Sequence, residues 1–408
     1  MHIGLLNNTE FPDLIGRVFA NNGFLNAIKR YNGGHEISVF ETSLISKDQL
    51  EFIKRKPLNV LHYPGPSLYK AMEFKRFNPE PLVTTGITHS LVGSPYMEFL
   101  ILNLMAKPSL TDVLFCTSRA VLNAVNEMQK IIFNSSKRSS FFDGILNCSI
   151  QRLGIDTKQF FKKEKNSDEK NLLYFGRFCP YTKVNLVPLI RMLKKVISNT
   201  SKKVSITFAG AEKFEYVKFL KEICEQIDLK IHFETNVTEQ RKIELFSEAD
   251  IFLAPSNNAQ ESFGLTLLEA LASGLPVVGY DWSGYRDIVE DGKNGFLAKT
   301  KLNLKEEILP FKLDHLNQND FSNSVCVDES YFVKSILSLI ENEALLNFMS
   351  RKALKSASKF DWENVIPEFI QKWVNLNSNC KQTVSCLAPI DYAKVFSHFA
   401  SKEKNESF

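Results

Sequence analysis

Short apolar runs alternate with amphipathic stretches along most of this chain. Residues 2–6 read as a buried first strand. Residues 18–31 carry Phe19, Phe24, Leu25 and Ile28 at helical spacing, which predicts an amphipathic helix. Gly33-Gly34 ends that helix, and residues 36–41 form the next strand. Further strands are expected at 59–63, running into the turn Pro64-Gly65-Pro66, at 81–87, and at 112–116, ending beside a helix cap at Thr117-Ser118. A charged run without apolar periodicity, 162–170, reads as a linker. Strands then recur at 171–175, 204–209, 230–233, 250–254 and 275–280, with helices at 239–249 and 265–273 among them. Strands alternating with helices predict an α/β protein with parallel sheets. Residues 331–357 and a segment after Phe360-Asp361-Trp362 read as helices, while the polar stretch 300–328 and the tail 378–408 receive no assignment.

The densest signal is residues 254–274, APSNNAQESFGLTLLEALASG. A strand enters a polar loop, Gly264 opens a helix at Leu265, Gly274 ends it, and Pro276 keeps it from resuming. The unpaired N–H groups and positive dipole end of such a helix suit an anion, above all a phosphate. Glu261 just before the helix and Glu269 inside it are suited to accept hydrogen bonds from hydroxyls beside that anion, as on sugars. Arg177 and Lys183, in the loop after the strand at 171–175, offer a planar fork and a mobile point charge for phosphate.

Glu261-Ser262-Phe263-Gly264-Leu265 with Glu269 resembles the E-x7-E motif of glycosyltransferase family 4, retaining enzymes that use nucleotide sugars and have the GT-B fold. The run Gly176-Arg177…Lys183 matches the family's G-R-x5-K. Gly34-His35-Glu36, Thr88-His89-Ser90-Leu91, Arg152-Leu153-Gly154-Ile155-Asp156 and Asn294-Gly295-Phe296-Leu297 resemble further family segments. The resemblance covers roughly residues 1–375 and is strongest over 171–297. It implies two Rossmann-like domains facing across a cleft: 1–160 for the acceptor, 171–360 for the nucleotide sugar, and 361–408 as a helix crossing back to the first domain plus an extension.

The roles that follow are those the resemblance implies. Arg177, Lys183 and the helix start at Gly264-Leu265 take up charge on the leaving diphosphate, Glu261 accepts hydroxyls of the donor sugar, and Glu269 accepts ribose hydroxyls. Ser262 and Phe263 line the same donor loop. Gly210 at a strand end and Val237 in the loop 234–238 lie where the nucleotide rests. The family often carries Gly-Gly in its first loop; here Gly16-Arg17 stands nearby. His89 ends the strand at 82–87, where open α/β sheets place ligand-binding residues, and is the candidate at the reacting centre. His62 follows a similar strand and is its rival.

Composition sets bounds on this picture. At 408 residues the chain fits two domains, and 44% hydrophobic with 24% charged residues is a globular composition. A net charge of +4 gives no case for nucleic acid. Seven cysteines, an odd number without C-x-x-C, disfavour a zinc site or a disulfide framework and fit a reducing cytosol. No signal segment and no membrane-spanning run of about 18 apolar residues is read. The expected location is cytoplasmic, with peripheral contact to the inner face of a membrane through residues 131–142, IIFNSSKRSSFF, whose apolar ends flank a basic centre. No Asp-x-Asp stands beside a strand end, so no metal is expected, and the donor is a UDP- or GDP-linked sugar. The acceptor class is a glycan, a lipid-linked saccharide or another surface acceptor. A nucleotide-sugar epimerase of GT-B fold and a non-catalytic GT-B scaffold are the alternatives.

Overall fold

The structure is a computed structural model that describes residues 1–7, 15–41, 46–92, 96–135, 145–164, 168–180, 183–212, 215–303 and 318–381. The first domain runs β1 (His2–Asn7), α1 (Ile15–Arg30), β2 (Glu36–Glu41), α2 (Lys47–Arg55), β3 (Val60–Tyr63), α3 (Leu68–Met72), β4 (Val83–Thr88), α4 (Tyr96–Met105), β5 (Asp112–Cys116), α5 (Arg119–Ser135) and β6 (Asn147–Ile150). Its six strands pair in parallel in the order β2-β1-β3-β4-β5-β6. Apolar strands such as Val60–Tyr63 are buried along their whole length, as expected of a parallel sheet covered on both faces.

The second domain repeats the plan. It runs β7 (Lys170–Phe175), α6 (Val187–Ser198), β8 (Val204–Gly210), α7 (Tyr216–Gln226), β9 (His232–Thr235), α8 (Glu239–Glu248), β10 (Ile251–Ala254), α9 (Leu265–Ala272), β11 (Val277–Tyr280), α10 (Tyr285–Ile288) and β12 (Gly295–Ala298). The parallel order is β12-β11-β10-β7-β8-β9. From β7 the chain steps outward to β8 and β9, then returns to the other side of β7 with β10. The order therefore reverses between β7 and β10, and loops at that switch point part to leave a crevice at the strand ends.

Within the polar stretch 300–328, β13 (Thr300–Leu302) pairs antiparallel with β14 (Val325–Val327), and α11 (Gln318–Asn323) precedes β14. Helices α12 (Glu329–Glu341) and α13 (Glu343–Ala357) follow, each capped by a side chain, Asp328 and Asn342. The last helix, α14 (Trp362–Ser378), crosses to the first domain. Its buried Trp373 donates to Thr85 Oγ1 at 3.1 Å, its Phe369 ring lies 4.9 Å from that of Phe24, and Glu368 pairs with Arg152 at 2.5 Å. One continuous apolar cluster thus includes Ile3, Val60 and Phe115 of the first sheet, Phe369 and Trp373 of α14, and Phe252 and Leu267 of the second domain.

The charged run read as a linker and the segment just before it make packed contacts. Phe160 packs on Phe246 with ring centroids 6.1 Å apart, and Lys163 N–H donates to Ser247 O at 3.1 Å. Lys170 opens β7 and pairs with Glu343 at 2.5 Å. Ile155, upstream of that run, bridges to Asp361 at the start of α14. The cysteines within the described residues are free thiols. No helix among the described residues is long and apolar enough to cross a membrane. The basic centre of 131–142 lies outside the described residues. Of its flank, Ile131 is 53% exposed and Ile132 is buried.

Candidate functional site

The loops leaving β7 and β10 meet at the switch point. After β10, Asn258 is buried and shapes the loop: its Oδ1 accepts from Gln260 N–H at 2.7 Å, and its carbonyl accepts from Glu261 N–H and from Trp282 Nε1. The loop ends at Gly264 with φ +111°, a conformation side-chain-bearing residues rarely adopt. A Cβ there would sit 2.9 Å from the Tyr285 ring, so glycine is required both by the turn and by the ring packed against it. Helix α9 starts at the next residue, and Gly274, with φ +72°, closes it.

Arg177 and Lys183 approach from the β7 side. Arg177 Nη2 donates to Gln260 Oε1 at 3.3 Å. Lys183 Nζ lies 2.5 Å from Glu261 Oε2, with the lysine 26% and the carboxylate 10% exposed. Tyr285 O–H donates to the same carboxylate oxygen at 3.4 Å. Burial first, and then the Glu261 charge, hold the Tyr285 hydroxyl well above the usual phenol range, so it stays a donor. The first acid of the motif is thus fixed by a cation and a hydroxyl before any ligand arrives.

The second acid, Glu269, projects from α9 to Lys242 of α8, 2.9 Å away. Burial pushes the Glu269 carboxyl above its usual range, and the Lys242 charge opposes that push. Burial draws Lys242 downward in turn, but Glu269 and Glu239 outweigh it and leave the ammonium above its ordinary value.

Gly210 ends β8 at φ +143°, and a Cβ there would meet the Gly176 carbonyl at 2.0 Å. The Gly210 carbonyl accepts from Asn236 N–H at 2.7 Å. The ends of β7, β8 and β9 are therefore laced together beside the loop holding Val237, whose side chain is half-buried against the core. Phe263 is 2% exposed and stacks edge-on with Phe360, so it anchors the loop and offers a ligand only its backbone. Leu265 is half-buried against the core. Gly16 falls in the first turn of α1, next to residues outside the described set.

From the first domain, the end of β4 reaches the same loop. Ser262 Oγ donates to the His89 carbonyl at 2.7 Å. His62 does not join them. It is 2% exposed, bonded to Thr85 Oγ1 at 2.9 Å and ringed by Phe24, Phe115, Phe369 and Trp373. Burial pulls its pKa down to about 3, which makes it a neutral core side chain. A second tie across the cleft joins Arg119, at the start of α5, to Asp287 of α10 through its backbone N–H at 2.8 Å and Nε at 2.6 Å.

Sequence reasoning assigned no role to Tyr285, Lys242, Arg119 or Asp287. None stands at a motif spacing from its partner, and each is found only through packing. What the arrangement offers chemically is a helix N-terminus and two cationic side chains for an anion, flanked by two carboxylates for hydroxyls.

Residues 155–326 match the family model described as Glycosyl transferases group 1. An N-acetyl-alpha-D-glucosaminyl L-malate synthase of Bacillus anthracis is 24% identical over 308 residues, 71% of this chain and 73% of that one. An uncharacterized glycosyltransferase of Methanocaldococcus jannaschii is 32% identical over 136 residues, a third of each chain (33%). Among solved structures, Anabaena HepE in complex with UDP and glucose superposes with a TM-score of 0.61 at 16% identity, covering 92% of this chain and 100% of that one. The reversed strand order in two facing sheets and the helix crossing back agree with that architecture. Residues 155–326 form a glycosyl transferases group 1 domain, and the chain that carries it is a GT-B glycosyltransferase.

Proposed function

We propose that the enzyme moves a sugar from a UDP- or GDP-linked donor to a saccharide or lipid-linked acceptor, with retention of anomeric configuration and without a metal. The observation that carries this reading is the meeting of Arg177 and Lys183 with the loop that opens α9, where Lys183 pairs with Glu261, while Glu269 stands on the same helix beside Lys242. The cations and the helix N-terminus take up charge as the diphosphate leaves. Glu261 accepts donor-sugar hydroxyls, Glu269 the ribose hydroxyls, and the backbone at Gly210 and Val237 borders the base. The likeness to HepE, solved in complex with UDP and glucose, supports a nucleotide-sugar donor. No side chain serves as nucleophile; the departing phosphate takes the acceptor's proton on the same face. His89 faces the reacting centre from the acceptor domain.

In this reading the enzyme touches the cytoplasmic face of a membrane peripherally; the exposed Ile131 supports apolar contact there, and the basic run Lys137-Arg138 in the sequence gives the reason to expect anionic lipid. Flotation with anionic vesicles tests that contact, and a negative result removes it. The reaction is tested by releasing nucleoside diphosphate from UDP-glucose, UDP-N-acetylglucosamine and GDP-mannose, with and without acceptor pools and with excess chelator. Acceptor-dependent release that survives the chelator is expected. Conversion of the sugar without acceptor marks an epimerase, no turnover with any pool marks a scaffold, and loss of activity restored by magnesium or manganese removes metal independence.

A further inference from the structure

Glu269 does not stand alone on its helix. Its side chain is 14% exposed, and its Oε1 is gripped by Lys242 at 2.9 Å. Lys242 is in the first turn of α8, directly after Thr238, whose hydroxyl caps the helix by accepting from Arg241 N–H. That cap closes the loop 236–238, whose Asn236 is bonded to Gly210. Lys242 is itself steadied: Glu239 Oε2 lies 2.7 Å from its Nζ, and the Phe160 ring lies 5.9 Å beneath it. The lysine therefore ties the strand-end loop that borders the base to the acid on α9.

We propose that Lys242 is a positioning residue for the nucleotide, holding the Glu269 carboxylate ionised and aimed by one oxygen so that the other accepts a ribose hydroxyl of a nucleoside diphosphate. This rests on the reading of Glu269 as the ribose acid. The chemistry behind it is direct. A carboxylate this buried drifts toward its neutral form, and a neutral acid loses the charge that makes its hydrogen bond to a hydroxyl a strong one. A cation fixed on one oxygen keeps the charge and sets the rotamer. Lys183 performs the parallel service for Glu261, but from the phosphate side of the crevice.

The test is calorimetric titration with UDP and GDP, each beside its 2′-deoxy and 3′-deoxy analogue. Wild-type protein is expected to favour the ribonucleotide over one analogue by about tenfold, the scale of one charge-assisted hydrogen bond. Glu269→Gln removes that preference. Lys242→Met is expected to remove it as fully, Lys242→Arg to retain most of it, and the double variant to behave as Glu269→Gln alone. Lys242→Gln, which still offers Glu269 a donor but no charge, repeats the test should the methionine variant fail to fold, and it too is expected to lose the preference. Full ribose preference in Lys242→Met or Lys242→Gln, with loss in Glu269→Gln, overturns the role of Lys242 and leaves the ribose acid standing. Unchanged preference in Glu269→Gln overturns the ribose reading itself, and the lysine's role with it.

Discussion

The Ser262 hydroxyl and the His89 carbonyl meet across the cleft at 2.7 Å, joining the E-x7-E loop of one domain to the end of β4 in the other. This bond engages the carbonyl as an acceptor. A carbonyl oxygen has two lone pairs, so the bond from Ser262 does not by itself exhaust its acceptor capacity.

The two histidines separate cleanly in experiment. His89→Ala is expected to lower kcat far more than it weakens donor binding, with thermal stability near wild type, because a group at the reacting centre acts mainly in the transition state. His62→Ala removes a ring from the aromatic cluster under α14 and is expected to cost about 2–5 kcal/mol of stability, on the scale of large-to-small core changes. Kinetics beside thermal melts decide it; an unaltered kcat in His89→Ala puts the reacting centre elsewhere.

Acid should reveal the same core histidine. With a folded pKa near 3 against 6.5 unfolded, His62 stays neutral in the native state while the unfolded chain takes up a proton. Its contribution is full above pH 6.5 and is lost progressively as pH falls toward 3, by about 1.4 kcal/mol per unit inside that window. Urea melts from pH 7 to pH 4 should show a shallower acid slope in His62→Phe than in wild type. Parallel slopes would mean that the ring titrates normally in the folded protein.

Arg177 lies at the crevice, where its Nη2 donates to the Gln260 side-chain oxygen at 3.3 Å. Arg177→Ala is expected to cost about 2.7–4 kcal/mol of transition-state stabilisation, the scale of losing one preorganised donor, and to leave folding nearly intact. Wild-type turnover in that variant sinks its assignment to the diphosphate.

Gly264→Ala tests the helix start. The new methyl group faces the Tyr285 ring at 2.9 Å on a backbone at φ +111°, so either the ring or the loop must shift. Donor affinity is expected to fall at least tenfold, while Tyr285→Phe, which deletes the hydroxyl that donates to Glu261 at 3.4 Å and keeps the ring, is expected to act more mildly. Equal donor affinity in Gly264→Ala and wild type, measured by titration, removes the helix start from the phosphate site.

Much of this architecture was legible because punctuation is local. Gly264, Gly274 and Pro276 bracket α9, and the apolar runs of the parallel strands need no partner to be recognised. The contacts of the charged run at 162–170 were not legible because composition reports solvation and not tertiary pairing: Lys170 meets Glu343, far along the chain. His62 and His89 follow similar strands and differ only in what covers them, and the cover for His62 comes from α1 and α14 at the chain's two ends. Lys242 and Tyr285 were silent for the same reason, since each meets its acid from a different helix.

The crossing of α14 also dictates an order of events at the ribosome. The face formed by Phe24, His62 and Phe115 emerges with the first sheet, yet Phe369 and Trp373, which cover it, are made much later. Roughly 200 residues separate the end of β6 from α14, so at about 5–20 residues per second the newborn first domain waits on the order of 10–40 s with that aromatic surface bare. The chain's N-terminal half must pass through translation in need of shelter, and a nascent polypeptide cut before Trp362 carries the exposed face permanently.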